Sequence, residues 1–195
     1  MQRRHALSSM AALAAMHLLS ACSREPDAAP PAPPIDRSQA LQVLAAEGKG
    51  FTVGAMMAAN TVYVLFDPQC PHCAALWESS QPLLRQARFV WLPVALLNAK
   101  SLPQGAAILG AANPAEAMSA HEKSLTAGQG GTAASASIPA DVEAAIKHNT
   151  ALLNRLGAES VPFIVARDPQ GGGARTVAGA MPTAQLASFV GLSGQ

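Results

Sequence analysis

Cys70 and Cys73 stand two residues apart, with Pro71 and His72 between them. A run of apolar and β-branched residues, Thr61 to Phe66, leads into the pair and reads as a strand buried on both faces. From Ala74 a helical pattern rich in Ala, Leu and Trp follows. A strand-to-helix junction puts both sulfurs at the first turn of the helix. There the unpaired N–H groups and the macrodipole favour negative charge. Thiols so placed have pKa values of about 3.5–7.5, so Cys70 reads as a thiolate nucleophile that is also a good leaving group. Cys73, one turn in and more shielded, reads as the resolving thiol. His72 can add positive charge or a hydrogen bond. This is reversible thiol–disulfide chemistry, carried by a redox-active Cys70–Cys73 disulfide and needing no other cofactor.

Other uses of a Cys-x-x-Cys pair fit less well. Structural zinc needs about four ligands, yet the chain has only one further cysteine, Cys22, and His72, His121 and His148 are scattered. A copper or zinc carrier built on Cys70, Cys73 and His72 would have an incomplete ligand set, so no metal is expected. Covalent haem attachment needs His directly after the second cysteine, and that position is Ala74. A passive disulfide would rarely span two residues at such a junction.

The remaining chain of 195 residues supplies an address and a scaffold. Half the residues are apolar, 13% are charged and the formal net charge is +1, which argues against disorder and against nucleic acid as a partner. Residues 1–21 read as a signal peptide, with Arg3 and Arg4 before a short apolar stretch, Ala6 to Leu19. Leu19-Ser20-Ala21-Cys22 looks like a bacterial lipobox, which implies cleavage before Cys22 and a lipid anchor on it. Ser23 next to it favours the outer membrane. Residues 22–36 then form a Pro-rich linker, able to reach roughly 40 Å as polyproline II.

Residues 37–195 are expected to form one domain. A short helix covers Arg37 to Glu47 with Leu41, Leu44 and Ala45 facing inward, and Phe51 to Val53 is a short strand. Met56 and Met57 read as core or rim packing. The helix after the dithiol should run to Gln86 with a kink at Pro82. Phe89 to Val94 is a second buried strand. Helices over Ala106 to Ala112 and Pro114 to Leu125 precede a surface loop, Thr126 to Ser137. Pro139 to Leu156 is amphipathic, with Val142, Ala145, Ile146, Asn149, Leu152, Leu153 and Leu156 on one face. Phe163 to Ala166 and Thr176 to Ala178 pair as a hairpin before a last helix, Pro182 to Val190. The order matches an α/β, thioredoxin-like fold: a central mixed sheet flanked by helices, with a helical insert at about 99–156.

Phe66-Asp67-Pro68-Gln69-Cys70-Pro71-His72-Cys73 resembles the active-site segment of the Dsb family of periplasmic disulfide-bond proteins. Ala106 to Leu109, Asn113-Pro114-Ala115, Asn149 with Leu152 and Leu153, and Leu156-Gly157-Ala158 are similar to its DsbG-type members. The likeness covers about Phe51 to Leu192. It implies a thioredoxin-fold catalytic domain acting on periplasmic proteins with thiols or disulfides, and a membrane redox partner that resets the dithiol. It also implies a cis-proline loop facing the dithiol and contacting substrate, which Val161-Pro162 fits; proline is the residue that tolerates a cis bond.

Three features depart from the DsbG pattern. Only the linker and one short helix stand where those proteins carry a dimerisation domain, so a monomer is expected. Pro71-His72 and Val161 are DsbA-like, which leans toward oxidation of substrates, whereas the kinship leans toward isomerisation or reduction of single oxidised cysteines. A chaperone-like module for unfolded proteins is the alternative from another class. Asp67 and Glu78 could assist proton transfer at Cys73, but a cap for the first and a surface position for the second are the plainer readings. Asn149 reads as a satisfied core polar group, and Trp77 as packing.

Overall fold

The computed structural model describes residues 32–134, 136–171 and 173–192. From Pro33 onward the described residues form one compact unit. The expected signal peptide, Cys22 and most of the expected Pro-rich linker lie outside the described residues. Among the described residues no helix is long and apolar enough to cross a membrane.

The elements run α1 (Ala40–Glu47), β1 (Phe51–Gly54), β2 (Thr61–Phe66), α2 (Pro71–Ser80), β3 (Arg88–Pro93), α3 (Ser101–Leu109), α4 (Pro114–Thr126), α5 (Ala140–Arg155), β4 (Phe163–Arg167), β5 (Ala174–Ala178) and α6 (Thr183–Phe189). They build one mixed sheet in the order β1-β3-β2-β4-β5. β2 pairs parallel with β3, Val62 opposite Phe89, and antiparallel with β4, Leu65 opposite Phe163. Val62 through Phe66 are all buried, as a central strand covered on both faces requires. The parallel β2–β3 crossover passes through α2, so the dithiol emerges where the central strand ends.

Around this junction Phe51, Phe66, Trp77 and Trp91 pack edge to face, with ring centroids 5.0–6.4 Å apart. Such pairs add about 0.5–1.5 kcal/mol each beyond the area they bury. They hold α2 to the sheet through Trp77, which is a packing residue. α5 lies on β3, and Asn149 closes that seam. Its amide donates to Lys49 O (2.6 Å) and Pro93 O (3.0 Å), and its oxygen accepts from Lys49 N (3.0 Å).

Several boundaries differ from the sequence expectation, each for a local reason. α2 does not run kinked to Gln86; it stops at Ser80 and a 3-10 turn, Gln81–Leu83, follows. Pro82 has no N–H to give, and its ring opposes the carbonyl four residues back. α3 begins at Ser101 and ends at Leu109, earlier than Ala106 to Ala112. Pro103 falls in its first turn, where backbone N–H groups have no helical partner anyway. In α1 the buried pair is Ala40 and Leu44, while Ala45 is exposed. Met56 and Met57 do not pack either; in the β1–β2 loop they are 63% and 96% exposed. The loop after α4 is turned partly inward, because Gly130 O and Thr132 O accept hydrogen bonds from buried Gln104.

Candidate active site

Cys70 is the N-cap of α2 and Pro71 its first residue, the position where proline's fixed φ and missing N–H cost nothing. Cys73 N donates to Cys70 O at 3.0 Å and closes the first turn. Both thiols are free. Cys70 is 4% exposed and Cys73 fully buried, whereas Pro71 and His72 point to solvent.

The two sulfurs are held in opposite protonation states. The Cys70 thiol is drawn down to about 6, chiefly because the Cys73 thiol donates a hydrogen bond to its sulfur. The N–H groups of Cys73 and His72 add to this, and the His72 side chain contributes least. Burial opposes the shift. Cys73 is pushed well above the ordinary thiol range, by burial first and by its neighbour Cys70 second. So above about pH 6 Cys70 is the thiolate and Cys73 the thiol that stabilises it.

The Val161–Pro162 peptide is cis and sits against the nucleophile: in its thiol form Cys70 Sγ donates to Val161 O at 3.4 Å. Pro162 O accepts from Gly179 N at 2.8 Å, which ties this loop to the β4–β5 hairpin. The predicted residues Cys70, Cys73, Val161 and Pro162 therefore meet in space, although about ninety residues separate the two pairs.

A polar frame positions the segment before Cys70. Asp67 is fully buried, and its carboxylate accepts from Gln69 N (2.8 Å), Leu96 N (2.8 Å) and Leu97 N (2.9 Å). It thereby joins the β2–α2 turn to the chain leaving β3. Gln69 donates to Gln104 Oε1 and to Gly130 O. His121 Nδ1 accepts from Thr132 N at 3.2 Å, so the proton is on Nε2, which donates to Pro68 O at 2.7 Å. Burial lowers the basicity of His121, in keeping with this neutral tautomer. Glu78 is exposed.

Glu122 and His121 are the functional candidates that sequence reasoning missed. Both are buried on α4 with Met118. The spacing Met118, His121, Glu122 (i, i+3, i+4) is the one available signal, since it is the spacing of an inward helical face. Among the described residues no three His, Cys, Asp or Glu side chains gather into a metal site; His148 faces Glu47 at 3.6 Å instead. A groove of about 490 Å³ lined by Val53, Trp77, Leu84 and Ser119 lies off the dithiol.

A parallel β2–β3 crossover, a dithiol at the N-terminus of the connecting helix and a proline loop against its sulfur define a thioredoxin-like domain. Residues 53–191 match the thioredoxin-like domain family, and the chain belongs to it. Its sequence is similar to the thiol:disulfide interchange protein DsbG of Pseudomonas aeruginosa, 30% identical over 117 residues. That match covers 58% of this chain and 44% of DsbG, so the chain spans less than half of that relative. The fold is similar to the catalytic domain of Proteus mirabilis ScsC, with a TM-score of 0.64 at 19% identity, covering 80% of this chain and 97% of that one. It is also similar to the thiol-disulfide exchange protein alpha-DsbA2 of Wolbachia pipientis, with a TM-score of 0.61 at 16% identity, covering 80% and 94%.

Proposed function

We propose that this chain is a thiol:disulfide oxidoreductase that exchanges disulfides with protein substrates through Cys70 and Cys73. The observation that carries this reading is geometric: two free thiols one turn apart at the N-terminus of α2, with the cis Val161–Pro162 loop 3.4 Å from Cys70 Sγ; the lowering of Cys70 to about 6 supports it. In the reducing direction the Cys70 thiolate attacks a substrate disulfide, forming a mixed disulfide and expelling one substrate thiolate. Cys73 then attacks the Cys70 sulfur, expels the second substrate thiolate and leaves the Cys70–Cys73 disulfide. Oxidation of a substrate dithiol is the same path reversed. An extended substrate segment would lie along Val161-Pro162, whose main chain borders the sulfur.

The site of action in this reading is the periplasm, on substrates that carry thiols or disulfides, with Cys22 as a lipid anchor and a membrane redox partner that resets the dithiol. The similarity to a DsbG supports it. The test is exchange with a disulfide-bonded peptide. Cys70→Ser is expected to abolish turnover, and Cys73→Ser to accumulate mixed disulfides that dithiothreitol releases. Retained turnover in Cys70→Ser would refute the assignment.

A further inference from the structure

The resolving step needs Cys73 as a nucleophile, yet Cys73 is the sulfur that the fold keeps protonated. Something must take its proton. Glu122 is 1% exposed, and neither of its carboxylate oxygens has a hydrogen-bond partner among the described residues. Buried ionised acids are ordinarily paired or hydrogen-bonded, so an orphan carboxyl at this place calls for a use. Its helix is seated against the active-site segment, since the adjacent His121 donates to Pro68 O two residues before Cys70. α4 also packs on α2. Electrostatically Glu122 reaches both sulfurs: Cys70 pushes on its carboxyl, and it pushes on Cys73.

We propose that Glu122 is the proton acceptor for Cys73 when the Cys70 mixed disulfide is resolved. This rests on the thiol-exchange reading. Neither carboxylate oxygen is in hydrogen-bond reach of a sulfur, so the Cys73 S–H proton passes to Glu122 through one bridging water, and the Cys73 sulfur attacks Cys70 Sγ. The Cys70–Cys73 bond forms as the Cys70–substrate bond breaks. The substrate sulfur leaves as a thiolate with the electron pair; the protein dithiol is oxidised by two electrons and the substrate disulfide reduced by two. In the oxidising direction Glu122 returns its proton to the departing Cys73 thiolate.

The surroundings also time the transfer. Burial first, and then the negative charges of Cys70, Glu78 and Asp67, push Glu122 up to about 8. No cation is among the causes of that shift. While Cys70 is a thiolate the carboxyl stays protonated. Capture of Cys70 in a mixed disulfide removes the most influential of those charges, so Glu122 becomes a better base at the step that needs one.

Glutathione disulfide is the probe. Reduced full chain is mixed with it from pH 5 to 10, quenched in acid, and the glutathionylated and internally oxidised species are resolved by mass. For Glu122→Gln the first step, capture of Cys70, is expected to stay within twofold of wild type. Resolution should slow at least tenfold at pH 7, within the range a positioned base supplies, and rise with hydroxide where wild type levels off. Glu122→Met, which fills an apolar site without an acid, repeats the test if the Gln variant is unstable. Resolution with wild-type rate and pH profile in a folded variant would overturn the proposal. A wild-type chain that never captures glutathione would instead sink the thiol-exchange reading itself.

Discussion

Removing the Cys73 thiol while leaving Cys70 in place isolates what stabilises the nucleophile. In the wild type Cys70 ionises at about 6 instead of 9.0, and the hydrogen bond from Cys73 is the largest cause. A hydrogen bond to a charged group is worth about 1.5–3 kcal/mol, or roughly one to two pKa units at 1.36 kcal/mol per unit. Cys73→Ala is therefore expected to raise the Cys70 midpoint to about 7–8. Cys73→Ser, whose hydroxyl can still donate, should stay within about half a unit of wild type. Thiolate absorbance at 240 nm between pH 4 and 10 reads this directly, because Cys73 ionises well above the Cys70 range.

Reaction rate would not read it. The thiolate fraction at pH 7 falls about two- to tenfold in Cys73→Ala, while each unit of added basicity raises intrinsic nucleophilicity roughly threefold. The two effects nearly cancel. A Cys73→Ala midpoint still at about 6 would refute the reasoning and assign the shift to the helix N–H groups and His72.

Two stability predictions follow from the buried acids. Asp67→Ala leaves three backbone donors, Gln69, Leu96 and Leu97, without their acceptor. It should cost roughly 2–4 kcal/mol in urea unfolding of the oxidised protein, and a loss below about 1 kcal/mol would contradict that role. Glu122 has the opposite sign. Its folded pKa, about 8, lies above the ordinary 4.5, so the unfolded chain sheds the proton first and stability falls as pH rises between those values. In the oxidised protein, where Cys70 no longer titrates, stability should drop by roughly 2–4 kcal/mol from pH 5 to 8. Glu122→Gln should flatten that slope; an unchanged slope would contradict the burial of the charge.

What the sequence revealed follows from how local each signal is. β2, the dithiol junction and α5 each carry their pattern within a single stretch: an unbroken apolar run, a strand-to-helix switch, a 3.6-residue face. Pro82 is expected only to kink α2 on its way to Gln86, and a helix expected from Ala106 leaves Pro103 outside it. Pro82 ends a helix, whereas Pro103 sits in a first turn where its missing donor is harmless. Asp67 looked like a local cap, yet two of its three donors come from residues 96 and 97. They reach it because β3 lies parallel beside β2. His121 and Glu122 were hidden by composition, since charged residues on a helix normally mark its solvent side. Only the packing of α4 against the active-site segment turns them inward. The order of influences on Cys70 was likewise beyond sequence. His72 stands between the cysteines but faces solvent, and the Cys73 thiol outweighs it.

The claim at the centre is that a stabilised Cys70 thiolate drives reversible exchange with Cys73, and the reduction potential of the pair tests it most directly. Ionisation at about 6 stabilises the reduced form at pH 7 by about 1.4 kcal/mol over an ordinary thiol, worth about 30 mV. It lies between the nucleophile of thioredoxin, about 7, and that of DsbA, about 3.5. Equilibration with glutathione buffers, read by alkylation and mass, should therefore give a single two-electron transition between about −270 and −120 mV. A dithiol that never closes, or one that titrates below about −270 mV, would contradict it.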